Sequence, residues 1–200
     1  QVTGRKMDRA SQYYKQVQLL MRVLPIVSQE SCFALKGGTA INLFVRDLPR
    51  LSVDIDLVYL PTKGRDEALA EIAKALDAIA ENLASSFSQI RLIKAYKAKH
   101  DALRLTVCLG GVRVKVELSP VLRGTLHQPQ MMQVSPAVED EFGYVNMLVV
   151  AMSDLYAGKI CAALDRQHQR DLFDVKWLLE NHGLPDEIRK TFLVYLASHN

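Results

Sequence analysis

Two short stretches hold residue types able to do chemistry. Leu35-Lys36-Gly37-Gly38-Thr39-Ala40 contains a glycine pair, and Arg50-Leu51-Ser52-Val53-Asp54-Ile55-Asp56-Leu57 follows after a short apolar run. Side chains alternate between faces along a strand, so Val53, Ile55 and Leu57 point one way. Ser52, Asp54 and Asp56 then share the other face. Two carboxylates held side by side repel unless a cation lies between them, and hard divalent ions such as Mg²⁺ (or Mn²⁺) take carboxylate oxygens. Glycine tolerates positive φ and lets backbone approach a ligand. Thr39 can cap the helix that follows, whose first N–H groups suit a phosphate. A phosphate-cradling turn beside a carboxylate metal site is the equipment of phosphoryl or nucleotidyl transfer. Taken singly, a Gly-Gly pair is an ordinary turn and Asp-x-Asp an ordinary solvated pair. Their combination at this spacing is what points to chemistry.

The elements that must position these residues can be read in order. Tyr13, Val17, Leu20, Met21 and Leu24 recur at helical spacing over about residues 8–29, with Pro25 expected to end or kink the helix. Residues 32–35 read as a strand, 40–45 as a brief helix and 52–60 as a strand closed by Pro61. Residues 64–85 are the clearest helix, striped by Leu69, Ile72, Leu76, Ile79 and Leu83. Three strands follow over about 89–96, 102–109 and 112–118, the last two joined at Gly110-Gly111 by a tight hairpin. On the final strand Val112, Val114, Val116 and Leu118 face one side while Arg113, Lys115 and Glu117 face the other. Glu117 is then either a third carboxylate for the Asp54/Asp56 pair or a cross-strand partner for a neighbouring base. Residues 122–143, with Pro129 and Pro136, are expected to be loop, and 144–152 a strand or helix lead-in. The chain turns helical thereafter, giving a core over 1–143 and a helical subdomain over 144–200. Ser153 is the expected N-cap of its first helix, which puts Lys159, Ala163 and Arg166 on one face. A second helix presents Asp171 and Asp174 together, with Leu172, Phe173, Val175, Leu178 and Leu179 as its apolar side. Gly183 stops it and Pro185 opens a last helix. Taken plainly, these are packed helices tied by salt bridges such as Arg166–Asp174, with Arg170 also holding the pair and His168 exposed.

Gly37-Gly38-Thr39 with Arg50-x-Ser52-x-Asp54-x-Asp56-Leu57 resembles the first motif of the nucleotidyltransferase superfamily of polymerase-β-like fold. More closely it resembles the AbiEii/AbiGii toxins of abortive-infection toxin–antitoxin systems, to which the MenT toxins are related. The later pattern Lys159-x-x-Ala162-Ala163-x-Asp165-Arg166 and Arg170-Asp171-x-x-Asp174 is similar to later motifs of that family. The resemblance implies an α+β fold, a mixed sheet flanked by helices with a C-terminal helical subdomain that completes the site. It implies a third acid at Glu117, contact of Lys159 with nucleotide phosphates, and an active-site role for Asp171. The implied function is transfer of a nucleoside monophosphate from a nucleoside triphosphate to an RNA hydroxyl, tRNA above all, or to a protein hydroxyl. The implied cofactor is Mg²⁺ (or Mn²⁺), held by Asp54, Asp56 and Glu117. Gly37, Gly38, Thr39, Arg50, Ser52 and Lys159 would bind the nucleotide, and Lys36 and Arg46 are further candidates for phosphate or acceptor contacts. The implied setting is phage defence in the cytoplasm, with a cognate antitoxin as partner. An inactive binding protein on the same fold and a divalent-metal phosphodiesterase are the alternatives. Family members continue into a larger helical region than the residues after Asn181 provide, which fits a short member or a fragment.

Composition narrows the class. Two hundred residues, 49% of them hydrophobic, suit one domain or one domain with a helical appendage. Mean hydropathy is +0.02, and no stretch approaches the roughly 18 apolar residues of a membrane span. The start, residues 1–6, has no signal-peptide apolar core and no initiating Met, as in a processed or trimmed chain. Cys32, Cys108 and Cys161 are odd in number and scattered, which fits a reducing compartment and no zinc site. A net charge of +3 permits a nucleic-acid partner without specifying one.

Overall fold

The computed structural model describes residues 8–50, 52–99 and 102–198, so residues 1–6 and Leu51 of the acidic stretch lie outside the described residues. Helix α1 (Gln12–Val27) starts where the Ser11 hydroxyl accepts the Tyr14 N–H, and it runs two residues beyond Pro25 before ending. Its buried stripe is Tyr14, Val17, Leu20, Met21 and Leu24. Tyr13, expected on that stripe, lies one position out of phase and is 63% exposed. Strand β1 (Phe33–Lys36) runs directly into a helical stretch, α2 (Gly37–Thr39) and a π-helical turn over Ala40–Val45. Strand β2 (Asp54–Tyr59) holds the acid pair, and α3 (Arg65–Ser86) buries Ile72, Leu76, Ile79 and Leu83 along its apolar stripe. The remaining strands are β3 (Arg91–Lys94), β4 (Arg104–Leu109), β5 (Val112–Arg123), β6 (Gln130–Gln133) and β7 (Asn146–Val149). Together they make one mixed seven-stranded sheet of order β3-β4-β5-β2-β1-β7-β6.

Register is what matters for chemistry. Strand β2 lies between β1, antiparallel, and β5, parallel. Lys36 therefore pairs with Asp56, Asp56 with Glu117, and Glu117 with Arg104 of β4. The four form a polar row across four strands, two acids in the middle and a base at each end. One step away, Asp54 pairs with Lys115. Between these positions Leu35, Ile55, Leu57 and Val116 are fully buried, so burial locks which side faces the site. The β4–β5 hairpin turns at Gly110 and Gly111 with φ of 57° and 79°, which glycine adopts without strain.

Several expectations need correcting. The strand expected over 89–96 ends at Lys94, and Ala95–Ala98 form a short helix, α4, that buries Tyr96 with its hydroxyl on Asp77. Residues 122–143 are not loop: β5 runs to Arg123, β6 follows, and α5 spans Pro136–Phe142. The prolines there punctuate elements, Pro136 standing at a first helical position where its missing N–H costs nothing. The stretch before the C-terminal helices contains β7, which pairs with β1 and β6 inside the sheet. The helical part is α6 (Met152–Arg166), α7 (Gln169–His182) and α8 (Asp186–Ala197). The N-cap position of α6 is Ala151, leaving Ser153 inside the first turn. On α7 the buried side chains are Asp171, Asp174 and Leu178, while Leu172, Phe173 and Leu179 are exposed. The polar pair points inward because three cations wait there. No helix among the described residues is long and apolar enough to cross a membrane.

Candidate active site

The glycine turn and the acid strand are built into one another. Gly37 has φ +74° and packs so closely on Asp56 that a Cβ there would overlap its carboxylate. At Gly38 a Cβ would stand 2.8 Å from Arg50 Nη2 and 3.0 Å from Ser52 Oγ. Gly37 is therefore demanded by both its φ and its close approach, while a Cβ at Gly38 would crowd the Arg50 and Ser52 side chains. The Thr39 hydroxyl donates to the Asp54 carbonyl at 2.5 Å and lies 3.0 Å from Ser52 Oγ. Thr39 and Ser52, expected to bind nucleotide, are buried and latch the turn to the strand. Asn42 Nδ2 donates to the Gly38 carbonyl at 2.8 Å, fixing the turn from below. Lys36 occupies the N-cap position with no side-chain cap bond, so the turn opens without an internal anion.

Charge around Asp56 is unbalanced. Burial, and then the nearby Asp54 and Glu117, push its carboxyl above the ordinary range, against the opposing pull of Lys36 and Lys159. Burial likewise lowers Lys36, helped by Arg166 and Lys159 and opposed by Asp56. Glu117 stands beside Asp56 in register but is ion-paired with Arg104 on its other side. Among the described residues no three His, Cys, Asp or Glu side chains gather as a ready-made metal cage. Asp54 and Glu117 both lie near enough to Asp56 to act on its carboxyl, and Arg104 pairs with Glu117 from the next strand.

The C-terminal helices add the cations. Lys159 is buried on α6, 2.8 Å from Asp171 Oδ1 and 3.4 Å from Asp174 Oδ2. Arg166 pairs with Asp171 at 2.9 Å, correcting the expected Arg166–Asp174 bridge. Burial alone would raise Asp171; the hydrogen bond and charge of Lys159, with Arg166, hold it below its ordinary value. Asp174 is fully buried and collects Arg50, at 2.5 and 3.1 Å, and Arg46. Arg50, a nucleotide-binding expectation, is thus a bidentate strap from the acidic stretch to α7. Arg46 is an interior residue, stacked 3.7 Å over Trp177 and bonded to Tyr156 Oη and the Asp174 carbonyl. His168 is exposed, as expected, and also caps α7 by accepting the Arg170 N–H. Arg170 itself makes no ion pair with a described residue, so it does not hold the helices together.

A cavity of about 370 Å³ opens on this constellation. Its lining includes Lys36, Gly37, Asp56, Lys159 and Arg166, together with Thr125, Leu155, Gly158 and Tyr195. Tyr195 is held by donating to Asp154 Oδ1 at 2.8 Å, and Asp154 also accepts the N–H groups of Leu126 and His127. Sequence reasoning missed Asp154, Thr125 and Tyr195. Only an aspartate in the first turn of α6 hinted at them.

A sheet with an acid pair on a central strand, backed by a diglycine turn and a lysine-bearing helix, defines the nucleotidyltransferase fold class. A family model described as nucleotidyl transferase AbiEii toxin, type IV TA system, matches residues 18–200. The chain belongs to the AbiEii toxin family. Among solved structures it is similar to MenT4, a nucleotidyltransferase toxin from Mycobacterium tuberculosis H37Rv, with a TM-score of 0.71 at 15% identity. That match covers 95% of this chain and 66% of MenT4, so the chain spans just under two thirds of MenT4's length. It is also similar to a protein from H. pylori described as a nucleotidyltransferase, with a TM-score of 0.53, 20% identity, and coverage of 92% and 83%. No curated protein is detectably similar in sequence.

Proposed function

We propose that the chain transfers a nucleoside monophosphate from a nucleoside triphosphate to a hydroxyl, with RNA, and tRNA in particular, as acceptor. The observation that supports this most is the row Lys36–Asp56–Glu117–Arg104 backed by Gly37 and faced by Lys159. Of this set Lys36, Gly37, Asp56 and Lys159 line one small cavity, which puts an acidic oxygen for a cation beside backbone and ammonium groups for phosphate. The residues fit a divalent cation: the donors are hard oxygens, and burial, with Asp54 and Glu117 nearby, disfavours the ionised Asp56 carboxylate that such an ion would stabilise. Asp54 and Asp56 would hold it, with Glu117 joining on release from Arg104. Bound there, Mg²⁺ or Mn²⁺ supplies charge neutralisation at the phosphates and lowers the pKa of a coordinated hydroxyl.

The chain's own groups do the rest. The amides of Gly37 and Gly38 and the Lys36 and Lys159 ammonium groups receive the phosphates, and Asp171 positions Lys159. The nucleoside lies toward Thr125, Gly158 and Tyr195. The acceptor hydroxyl oxygen bonds to the α-phosphorus, the bond from that phosphorus to the bridging oxygen breaks, and pyrophosphate leaves with the electron pair. The hydroxyl proton passes to the acidic trio and then to water. As a family member acting in the cytoplasm, the chain would serve as the toxin of a phage-defence pair and be restrained by a cognate antitoxin.

The test is purified chain, total RNA, Mg²⁺ and each labelled triphosphate in turn, with Asp56→Asn as control. Label entering RNA with wild type and not with the variant is expected. RNA shortened without label would make the chain a phosphodiesterase, and neither change would make it a binding protein.

A further inference from the structure

Two depressions meet along the acid strand. Asp56 lines the cavity already described, whereas Asp54 lines a broader cleft of about 870 Å³. The cleft is walled by the start of α1, the outer face of the β4–β5 hairpin and the turn between α6 and α7. Asp54 is the one acid among its lining residues, against Arg50, Arg113, Lys115 and Arg170, with His168 beside them.

These cations differ in kind. Arg50 is engaged by Asp174. The side chains of Arg113, Lys115 and Arg170 form no ion pair with any described residue, although acidic groups serve almost every other base near the site. Gln16 braces this wall by donating to the Arg113 carbonyl at 2.9 Å. Three like charges held around one opening repel, and a polyanion removes that cost. Tyr13 turns its ring outward at the rim, the residue that stepped out of the α1 core stripe. An exposed ring among unpaired bases is the equipment for a single strand: phosphates on cations, a base on the aromatic face. A polypeptide acceptor would find no unpaired strand edge here and almost no apolar anchorage, since Val53 is the only aliphatic lining residue.

We propose that this cleft seats the single-stranded end of the RNA acceptor. Its phosphates lie on Arg113, Lys115 and Arg170, a base lies on Tyr13, and its terminal hydroxyl is presented over Asp54 to the α-phosphate held on the Asp56 side. The inference rests on the transferase reading and adds a division of labour: triphosphate on one flank of the acid strand, acceptor on the other.

The test uses the whole chain, a fluorescently labelled single-stranded oligoribonucleotide, and anisotropy between 50 and 200 mM salt, with calorimetric titration of Mg²⁺–nucleoside triphosphate in parallel. The variant Arg113→Ala/Lys115→Ala/Arg170→Ala should bind RNA at least ~10-fold more weakly. Its slope of log affinity against log salt should flatten by about 2, at ~0.7 per lost phosphate contact. Nucleotide affinity should stay within about twofold, because none of the three lines the triphosphate cavity. Tyr13→Ala should weaken RNA binding by roughly fivefold or more at an unchanged salt slope. Arg113→Lys/Arg170→Lys should retain the wild-type slope, separating charge from fold. Unchanged RNA affinity and slope in the triple variant would overturn the proposal, as would a wild-type chain that retains no RNA. Label transferred to polypeptide equally by wild type and triple variant would overturn it too. Failure of wild type to bind any triphosphate would instead remove the transferase reading, while the RNA slopes still decide the surface.

Discussion

At the scale of single residues, the site is defined by what cannot be added. Gly37 combines positive φ with contact against the Asp56 carboxylate. Gly37→Ala should cost about 1–3 kcal/mol in chemical unfolding and displace Asp56. Asp56→Asn should separate function from stability. It removes a charge that burial and two neighbouring acids penalise, so the thermal midpoint should stay at or above wild type. Nucleotide transfer should fall by at least ~10²-fold, as when one transition-state-stabilising group is lost. The acid pair and the diglycine were legible because alternation along a strand and tolerance of positive φ are local rules. The partners of Thr39, Ser52 and Arg50 were not. Each uses its polar atoms on a residue at least twelve positions away, and only tertiary structure says which.

At the scale of elements, the C-terminal helices are fastened to the core by charge. Asp174 on α7 faces Arg46, Arg50 and Lys159 with no exposure to solvent. Asp174→Ala would strand those buried cations and should cost about 3–5 kcal/mol, read as a lowered urea midpoint. Helix α3 is tied to β3 and α4 in a gentler way, by Asp77 accepting from Lys94 and Lys97. These bonds hold the Asp77 carboxyl down at about 2. A depressed carboxyl contributes stability above its unfolded pKa of about 3.9 and loses it as pH falls through the folded value. Asp77→Asn should therefore cost about 1 kcal/mol at neutral pH, after allowance for solvent screening of this partly exposed group. The difference from wild type should vanish between about pH 4 and pH 2. The long helices and the hairpin could be read from period and turn residues alone, whereas α4 and α5 could not. The α7 face could not, because an apolar stripe of Leu172, Phe173 and Leu179 normally packs inward, and here the demand of buried cations turned the helix the other way.

At the scale of the whole molecule, one sheet presents the recess proposed for the triphosphate and, across the acid strand, an open basic wall. Gly158 lines the recess beside Tyr195, so Gly158→Leu would extend into the space proposed for the nucleoside. It should weaken nucleoside triphosphate binding by roughly tenfold, and inorganic triphosphate, which lacks the nucleoside, should bind nearly as before. Calorimetric titration of both ligands checks this. The class of fold was legible through the resemblance carried by Gly37-Gly38-Thr39 and the Asp54-x-Asp56 strand. The sheet order was not, since β7 enters beside β1 from more than a hundred residues away. That order also sets a timetable. A ribosome that has delivered residues 1–150 has made every strand and both acids of the pair. It has supplied neither Lys159 nor the two aspartates that steady the cations. At ~5–20 residues per second those follow the last described strand by a few seconds. The cluster of Lys159, Asp171 and Asp174 is therefore completed only on a sheet that has already been made.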